Sequence, residues 1–336
     1  MAKENRSDPI LVEKVVQALY LLEQLVESGL EFIFKGGTAL MLLLPEPKRF
    51  SIDIDIIVSK KPEDLSTIFD ALIETFHFTG YEKDVRKTKS DIEKAHYKFF
   101  YNPVTNTLSD QEYILLDILF EESHYGEHTD MIPINSPFVQ IKGDSTYVAV
   151  PTAEAILGDK LTAFAPNTTG IPYGRDKEVE IIKQLFDVGH LFDMVFDIEV
   201  VSIVFDRFAK TELTYRNINE SPEVVLEDTL ETAMVIATRG KSGKGQFAEL
   251  QKGIQNIKNY IFSENFHLER AMVPAAKAAY VSAMIQKGAK EIHHFSNPEE
   301  IVDWIIEQPN ETRLNKLKKT NPEAFFYWWK TLELKK

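Results

Sequence analysis

Two short stretches decide how this chain is interpreted: Lys35-Gly36-Gly37-Thr38-Ala39-Leu40 and, a few residues further on, Arg49-Phe50-Ser51-Ile52-Asp53-Ile54-Asp55. The first follows a short apolar run, residues 31–34, which predicts a buried strand, and it leads into a predicted helix that stops at Pro45. The second stretch alternates polar and apolar residues in period two, as half-buried strands do. The sequence therefore predicts a strand, a glycine turn, a short helix and a second strand in close succession.

The glycine pair is suited to holding a ligand. Without a Cβ, Gly36 and Gly37 allow the backbone to come close to a bound group. The N-terminus of the following helix offers free N–H groups and a partial positive charge, which suit a phosphate. Thr38 either adds a hydroxyl donor or caps the helix. An ordinary turn and helix cap would have the same sequence, so a second feature is needed to indicate a binding site.

The paired aspartates supply that second feature. Side chains alternate along a strand, so Ser51, Asp53 and Asp55 are expected on one face and the intervening isoleucines on the other. Carboxylates spaced about 6.5–7 Å apart along a strand can converge on divalent ions that lie about 3.5–4 Å apart. Two aspartates on one face repel unless a cation neutralises them. The alternative is an acidic strand that faces solvent, but the upstream glycines favour the metal-binding interpretation.

A third acid interrupts the apolar run of residues 113–120, where Asp117 stands alone among hydrophobic side chains. A buried charge is costly unless it is paired or bound to a metal. A metal shared with Asp53 and Asp55 would supply the cation. The alternative is an acid at a strand end that meets solvent or an arginine.

These residues together resemble the signature of the AbiEii/AbiGii toxin family, which belongs to the DNA polymerase β-like nucleotidyltransferase superfamily. In that superfamily a Gly-Gly or Gly-Ser turn precedes an Asp-hydrophobic-Asp strand, and a third acid lies on a later strand. Arg49 and Ser51 match the Arg-x-Ser of the toxin family, although the gap from Gly37 to Asp53 is longer than is usual in the superfamily. The resemblance implies an α/β (α+β) fold, with a mixed-sheet polymerase β-like nucleotidyltransferase core and a C-terminal helical domain.

Two later motifs of the family are matched as well, so the resemblance covers roughly residues 30–195. The family's helical lysine corresponds to Lys160, and its aspartate in an apolar helix corresponds to Asp187. One departure concerns the Lys-Asp pair that often precedes this aspartate. Here Lys183 is followed by Gln184, so the acid of that pair is absent.

The resemblance implies transfer of a nucleoside monophosphate from an NTP with Mg²⁺, or Mn²⁺ in its place, as cofactor. Asp53 and Asp55 would hold the metal, and Asp117 would complete its ligands or take the proton of the acceptor hydroxyl. Lys160 would neutralise charge on the leaving pyrophosphate, and Asp187 would position the site. The expected nucleotide-binding residues are Gly36, Gly37, Thr38, Arg49 and Ser51.

Two side chains keep more than one interpretation. Arg49 fits either a phosphate contact or a salt-bridge partner for the acidic strand. His190, in an apolar helical segment near Asp187, fits a satisfied core residue better than a contributor to the site.

The aromatic run 325–329 lies among lysines, a composition that can bind nucleic acid. Packing of a terminal helix onto the protein body is the favoured explanation of that run.

A chain of 336 residues is expected to form two domains. We place the nucleotidyltransferase domain, with an N-terminal helix and covering helices, at residues 1–195 and a helical domain at residues 196–336. Periodicity predicts strands over 51–58, 96–101, 111–121 and 146–150. It predicts helices over 10–28, 39–44, 62–76, 152–164, 176–195, 197–210, 222–238, 247–263, 268–287 and 297–307.

Composition and charge narrow the cellular location and the kinds of site that the sequence predicts. The sequence has no cysteine, which excludes disulfides, thiolate metal sites and a cysteine nucleophile. The polar residues 1–9 lack the apolar run of a signal peptide, and no apolar stretch is long enough to span a bilayer. We therefore expect a cytoplasmic protein without a membrane partner. A net charge of −14 argues against unspecific coating of nucleic acid, but it allows a local basic patch that binds one RNA.

The family resemblance also implies a biological role. It indicates the toxin of a type IV toxin–antitoxin or phage-defence system with a cognate antitoxin, and it makes tRNA or another RNA the expected acceptor. One alternative keeps the chemistry but transfers the nucleotide to a protein side chain or a small molecule. Another is a non-catalytic binding module that retains only the fold, which the intact carboxylates disfavour.

Overall fold

The computed structural model describes residues 8–75, 77–85, 93–105 and 108–336. Two sequence-based expectations fall partly outside these ranges: residues 1–7 of the polar N-terminal segment, and Phe76 at the end of a predicted helix. The described chain forms two compact units. The first comprises the described part of Met1–Thr152 together with Tyr260–Glu264, and the second comprises Ala153–Asn259 with Asn265–Lys336.

The first unit combines strands with three helices among its described residues. The helices are α1 (Pro9–Glu27), α2 (Gly36–Leu43) and α3 (Leu65–Thr75). The strands are β1 (Ile33–Lys35), β2 (Ile54–Ile57), β3 (Gly80–Lys83), β4 (Lys94–Tyr101), β5 (Glu112–Leu119), β6 (Thr129–Pro133) and β7 (Tyr147–Pro151).

Helix α1 follows directly from its sequence. The Asp8 side chain accepts a hydrogen bond from the Ile10 backbone N–H at 2.9 Å, and Pro9 occupies the first turn, where it needs no N–H partner. Apolar residues at helical spacing bury one face, including Val15 and Leu22. The helix ends just before Gly29, which has φ +79°, the left-handed conformation that glycine adopts without strain. The predicted helix over 10–28 is confirmed.

Five strands form one mixed sheet in the order β1-β2-β5-β4-β3. Only β2 and β5 run parallel, and the other neighbours in this sheet are antiparallel. Strands β6 and β7 form a separate antiparallel pair. This confirms the mixed-sheet α/β class. Strands β3 and β6 were not predicted, because both are short and their side chains lack the alternation of a half-buried strand.

The second unit is built from helices, 3₁₀ turns and loops. Its α-helices are α4 (Ala153–Ala163), α5 (Glu178–Phe192), α6 (Ile198–Tyr215), α7 (Glu223–Ala237), α8 (Phe247–Asn256), α9 (Leu268–Lys287), α10 (Leu317–Thr320) and α11 (Pro322–Leu334). The division of the chain into compact units places α4 and α5 in the second unit, together with the helices that follow them. The domain limit at residue 195 was set by the motifs instead, and it stays a prediction.

Two of the predicted helices need correction. The segment 297–307 forms only a 3₁₀ turn, Pro298–Ile301. Its apolar Val302 and Ile305 are 60% and 62% exposed, so no buried face supports a longer helix. The helix predicted over 247–263 ends at Asn256, and a 3₁₀ turn follows it.

The aromatic run near the C-terminus packs inside the second unit. Phe325, Phe326, Tyr327 and Trp328 are each at most 2% exposed on α11. This confirms the packing interpretation over a nucleic-acid surface for these four residues.

Among the described residues, no helix has both the length and the apolar character that crossing a bilayer requires.

Candidate active site

The two strand acids lie side by side in the sheet. Asp55 on β2 is paired in register with Asp117 on the parallel strand β5. Residues directly opposite each other point to the same face, and neighbouring strands lie about 4.8 Å apart. The flanking residues Ile54 and Leu116 are fully buried, so they occupy the opposite face. Strand pairing therefore brings together two of the three predicted metal-ligand residues.

The glycine corner, formed by Gly36 and Gly37, is built against the Asp55 carboxylate. Gly36 is the first residue of α2 and has φ +81°. A Cβ added to Gly36 would lie 2.9 Å from the Asp55 Cγ atom and would overlap its Oδ2 oxygen. Real Cβ atoms do not approach other groups so closely, so only glycine allows this contact. The left-handed backbone angle independently favours glycine at the same position.

The second glycine makes an equally close approach on the other side of the corner. A Cβ on Gly37 would lie 2.6 Å from Ser51 Oγ and 2.7 Å from an Arg49 guanidinium nitrogen. Arg49 is itself 7% exposed, and it donates to the Phe50 carbonyl at 3.1 Å. The predicted nucleotide-binding residues Gly37, Arg49 and Ser51 are thus gathered at one point. Both interpretations of Arg49, a phosphate contact and a partner of the acidic strand, stay predictions.

Asp53 lies just before β2, which is shorter than the strand predicted over 51–58. This aspartate is exposed. Its backbone carbonyl accepts a hydrogen bond from the buried Thr38 hydroxyl at 2.6 Å. Thr38 therefore ties the first turn of α2 to the chain that enters β2. This contact adds a third role to the two proposed from the sequence, a ligand donor or a helix cap.

His96 is a further candidate site residue that the sequence did not reveal. It lies opposite Asp117 in the β4–β5 register, and its Nδ1 is 2.7 Å from Asp117 Oδ1. An ionised carboxylate can only accept, so the imidazole Nδ1–H donates. His96 is a single histidine in an ordinary alternating strand. Only the pairing of β4 with β5 indicates its role.

The strand registers place four of these side chains in one row across four neighbouring strands. Lys35 on β1 lies opposite Asp55, Asp55 opposite Asp117, and Asp117 opposite His96. The Lys35 ammonium also lies 5.8 Å from the centre of the Tyr125 ring. The two carboxylates are therefore flanked on the sheet by side chains that can carry positive charge.

The donor set fits a hard divalent cation. Mg²⁺ binds oxygen ligands, commonly carboxylates, and Asp55 and Asp117 would repel as direct neighbours without a cation between them. Asp53, which is exposed and lies just before β2, could add a third carboxylate. Within the ranges that the structure describes, no three acidic or histidine side chains already converge at metal-ligand distances. The fit therefore rests on strand register and on the chemistry of the oxygens.

Replacement of His96 by alanine is expected to lower kcat about 10- to 100-fold with little change in the KM for NTP. The hydrogen bond that orients Asp117 is lost, and groups that hold metal-binding side chains typically contribute this much. His96→Gln, which keeps an N–H donor, should retain more activity. Steady-state kinetics of both variants test this, with the exposed His77→Ala as control. Equal rates for wild type and His96→Ala would contradict a positioning role.

The remaining motif residues meet in the second unit. Lys160 on α4 is 7% exposed and its ammonium lies 3.0 Å from Asp187 Oδ2 on α5. The same ammonium donates to Gln184 Oε1 at 2.7 Å. Gln184, which stands where the family often has an acid, therefore holds Lys160 through a neutral oxygen. Lys160 is a buried and paired cation rather than a surface lysine.

His190 lies one turn beyond Asp187 on α5. Its Nδ1 is 3.0 Å from the Phe186 carbonyl, and its ring centre is 4.4 Å from that of Phe186. These contacts are those of a core histidine. A contribution of His190 to the site gains no support from them.

Replacement of Lys160 by methionine is expected to destabilise the second unit by about 3 kcal/mol. The substitution removes the Lys160 ammonium that pairs with the buried Asp187 carboxylate, and breaking such a pair is strongly destabilising. Adding Asp187→Leu should recover most of this loss, because both charges of the buried pair are then removed. Denaturant unfolding measures both effects. Lys210→Met, which removes an exposed ion pair with Asp206, is the control and should change stability little.

The glycine corner, the paired strand acids and the mixed sheet are together the arrangement of nucleotidyltransferases, and comparison with known families agrees. The family model described as nucleotidyl transferase AbiEii toxin, type IV TA system, matches residues 19–257. The match covers well over half of the chain. The chain belongs to this family and is a nucleotidyltransferase of the toxin type. Membership implies an NTP substrate and a cognate antitoxin.

Three solved structures are similar to this chain. JHP933 from Helicobacter pylori is 15% identical, with 84% of this chain and 96% of that chain covered and a TM-score of 0.50, which supports the fold alone. A second H. pylori structure, described as a putative nucleotidyltransferase, is 17% identical over 86% of this chain and 100% of the other, at a TM-score of 0.48. The nucleotidyltransferase toxin MenT4 from Mycobacterium tuberculosis is 12% identical over 97% of both chains, at TM-score 0.45. No curated protein matches the sequence.

Proposed function

We propose that this protein is a Mg²⁺-dependent toxin that transfers a nucleoside monophosphate from an NTP to a hydroxyl group of an RNA, with tRNA as the first candidate. The observation that carries the proposal is the direct register of Asp55 with Asp117, beside a glycine corner that touches the Asp55 carboxylate. The proposal places the protein in the cytoplasm, in a type IV toxin–antitoxin or phage-defence system.

The reaction joins the acceptor oxygen to the α-phosphorus and breaks the bond from that phosphorus to the β-phosphate bridge, so pyrophosphate leaves. Bound Mg²⁺, or Mn²⁺, would supply charge neutralisation and a lower pKa for the acceptor hydroxyl. Asp53, Asp55 and Asp117 are the residues that would hold it. Asp117, whose Oδ1 is held by His96, would complete the ligands of the metal or take the acceptor proton.

The phosphates of the NTP are assigned to the glycine corner. Gly36 and Gly37 carry the backbone N–H groups of the first turn of α2, and these groups have no partner within their own helix. Ser51 and Arg49 lie directly against Gly37. Lys160 remains our candidate for the cation that neutralises the leaving pyrophosphate, and Asp187 for the residue that positions Lys160.

The proposal is tested by incubating the purified protein with each radiolabelled NTP, Mg²⁺ and either total RNA, total protein or small-molecule extract. Label is expected in RNA, only with metal, and only with a subset of the four NTPs. Label in protein or in a small molecule would support the second enzymatic candidate and overturn the RNA acceptor. Absence of label from every acceptor, with no Mg²⁺-dependent NTP binding by calorimetry, would overturn the catalytic proposal.

A further inference from the structure

A cavity of about 540 Å³ lies wholly within the second unit. It is bounded by the end of α4, the connection 164–177, the middle of α5 and the end of α6. Its polar lining includes Asp159, Thr162, Arg175, Lys177, Gln184 and Arg216.

The charge in this cavity opposes the charge of the whole protein. Three cationic side chains, Arg175, Lys177 and Arg216, line it. Two carboxylates, Asp159 and Glu212, line it as well, whereas the chain as a whole carries −14. Arg216 is already engaged: its Nε lies 3.8 Å from Glu212, and its guanidinium also donates to the Thr169 carbonyl. Arg175 and Lys177 are exposed, and neither forms an ion pair with any residue in the described ranges. Two cations therefore remain for a ligand.

The connection 164–177, which carries Arg175 and Lys177, is held by hydrogen bonds to other parts of the second unit. The Asp228 carboxylate accepts from the Asn167 backbone N–H at 2.8 Å and from the Thr168 hydroxyl at 2.9 Å. At the other end of the connection, the Gly174 N–H donates to Glu249 at 2.9 Å. These anchors hold the connection that leads to Arg175 and Lys177, which limits the conformational entropy that binding would remove.

Gln184 connects the cavity to the motif residues. It lines the cavity and accepts from Lys160 at 2.7 Å. An acid at this position, as in the Lys-Asp pair of related sequences, would place another negative charge on the wall. The neutral glutamine keeps the cavity positive next to the buried Lys160–Asp187 pair. Ile171 and Pro172 add an apolar surface on which a nucleobase can lie.

We propose that this cavity binds a phosphate-bearing nucleotide of a single-stranded RNA acceptor, with Arg175 and Lys177 as the phosphate contacts. The inference rests on the proposed function, because it identifies where the RNA acceptor is bound. An RNA is repelled at long range by a protein of net charge −14, so a local positive site is needed to hold it. A free NTP carries phosphate too, and the test separates the two sources.

The test compares the variant Arg175→Ala/Lys177→Ala with the control Lys287→Ala/Lys290→Ala, which removes two exposed cations of the same unit away from the cavity. Binding of a fluorescent single-stranded RNA is followed by anisotropy at graded NaCl concentrations. The cavity variant should bind RNA about 10- to 30-fold more weakly at about 0.1 M NaCl, and the slope of log K against log salt should fall by about 1.4, from two phosphate contacts at about 0.7 each. The control should match wild type.

Calorimetry with each NTP is the second arm, and its affinity should be the same for wild type and the cavity variant. Unchanged RNA affinity in the cavity variant would overturn the inference, as would weaker NTP binding with RNA binding intact. Neither result depends on catalysis. The two proposals can fail separately. If wild type transfers nucleotide to RNA but the cavity variant binds RNA as tightly as wild type, the proposed function is retained and only this binding site is rejected.

Discussion

Replacement of Asp55 by asparagine is expected to lower the rate of nucleotide transfer by about 10³-fold or more while the protein stays folded. Asparagine keeps the shape of the side chain but removes its charge. Charge stabilisation by a metal contributes several kcal/mol to the transition state, and each ~1.36 kcal/mol changes a rate tenfold. The measurement is label incorporation from the preferred NTP under single-turnover conditions, with the exposed Asp130→Asn on β6 as control.

The same substitution makes a second, opposite prediction about stability. Without metal, Asp55 and Asp117 are like charges directly opposite each other on adjacent strands, and such pairs are destabilising. Asp55→Asn removes this repulsion, so the thermal midpoint of the metal-free protein should stay the same or rise. Wild type should gain stability when Mg²⁺ is added, and the variant should gain less. Full transfer activity in Asp55→Asn would reject the assigned site.

Replacement of Gly36 by alanine is expected to lower kcat by at least about 10²-fold. The added methyl group would overlap Asp55 Oδ2, so the carboxylate must rotate away from its position. Misplacement of a catalytic group by about 1 Å costs on the order of 10²-fold. A left-handed backbone at a non-glycine residue costs a further ~1–2 kcal/mol in stability, which denaturant unfolding would detect.

Gly29 provides a matched control for this experiment. It has φ +79°, nearly the same as the +81° of Gly36, but a Cβ at Gly29 would meet no atom within 4 Å. Gly29→Ala should therefore show the same loss of stability without loss of activity. If both variants lose activity equally, backbone strain rather than contact with Asp55 explains the effect. If Gly36→Ala is fully active, the glycine corner does not position the carboxylate.

Several parts of the site could be predicted because their signals are local. Gly36 and Gly37 stand just ahead of the helix predicted over 39–44, and Asp55 and Asp117 each interrupt an apolar strand. A lone acid in an apolar run indicates a cation because a buried charge without a partner is too costly to keep. The two helical motifs with Lys160 and Asp187 were also found from sequence, and the structure pairs them at 3.0 Å. Their roles in catalysis stay predictions.

Other parts were hidden because they depend on contacts between distant segments. His96 has no motif around it, and its role follows only from its place opposite Asp117. The exact start of β2 depends on pairing with β1 and β5, so alternation alone extended the strand across Asp53. In the sequence, Gln184 is notable only because the family often has an acid at this position. The fold shows that Gln184 is a hydrogen-bond partner of Lys160.

The amino-acid sequence by itself identified the candidate site residues, which are the glycines, the three carboxylates and the helical lysine. It also determined most of the order of strands and helices that presents them. Steric alternation along a strand and periodicity along a helix are properties of neighbouring residues, so they can be derived without a fold. The tertiary structure alone decided that Asp55 lies beside Asp117, with Lys35 and His96 at either end of the row. Strand pairing is selected by burial of the whole core, and a slip of one residue would have turned each of these side chains to the opposite face.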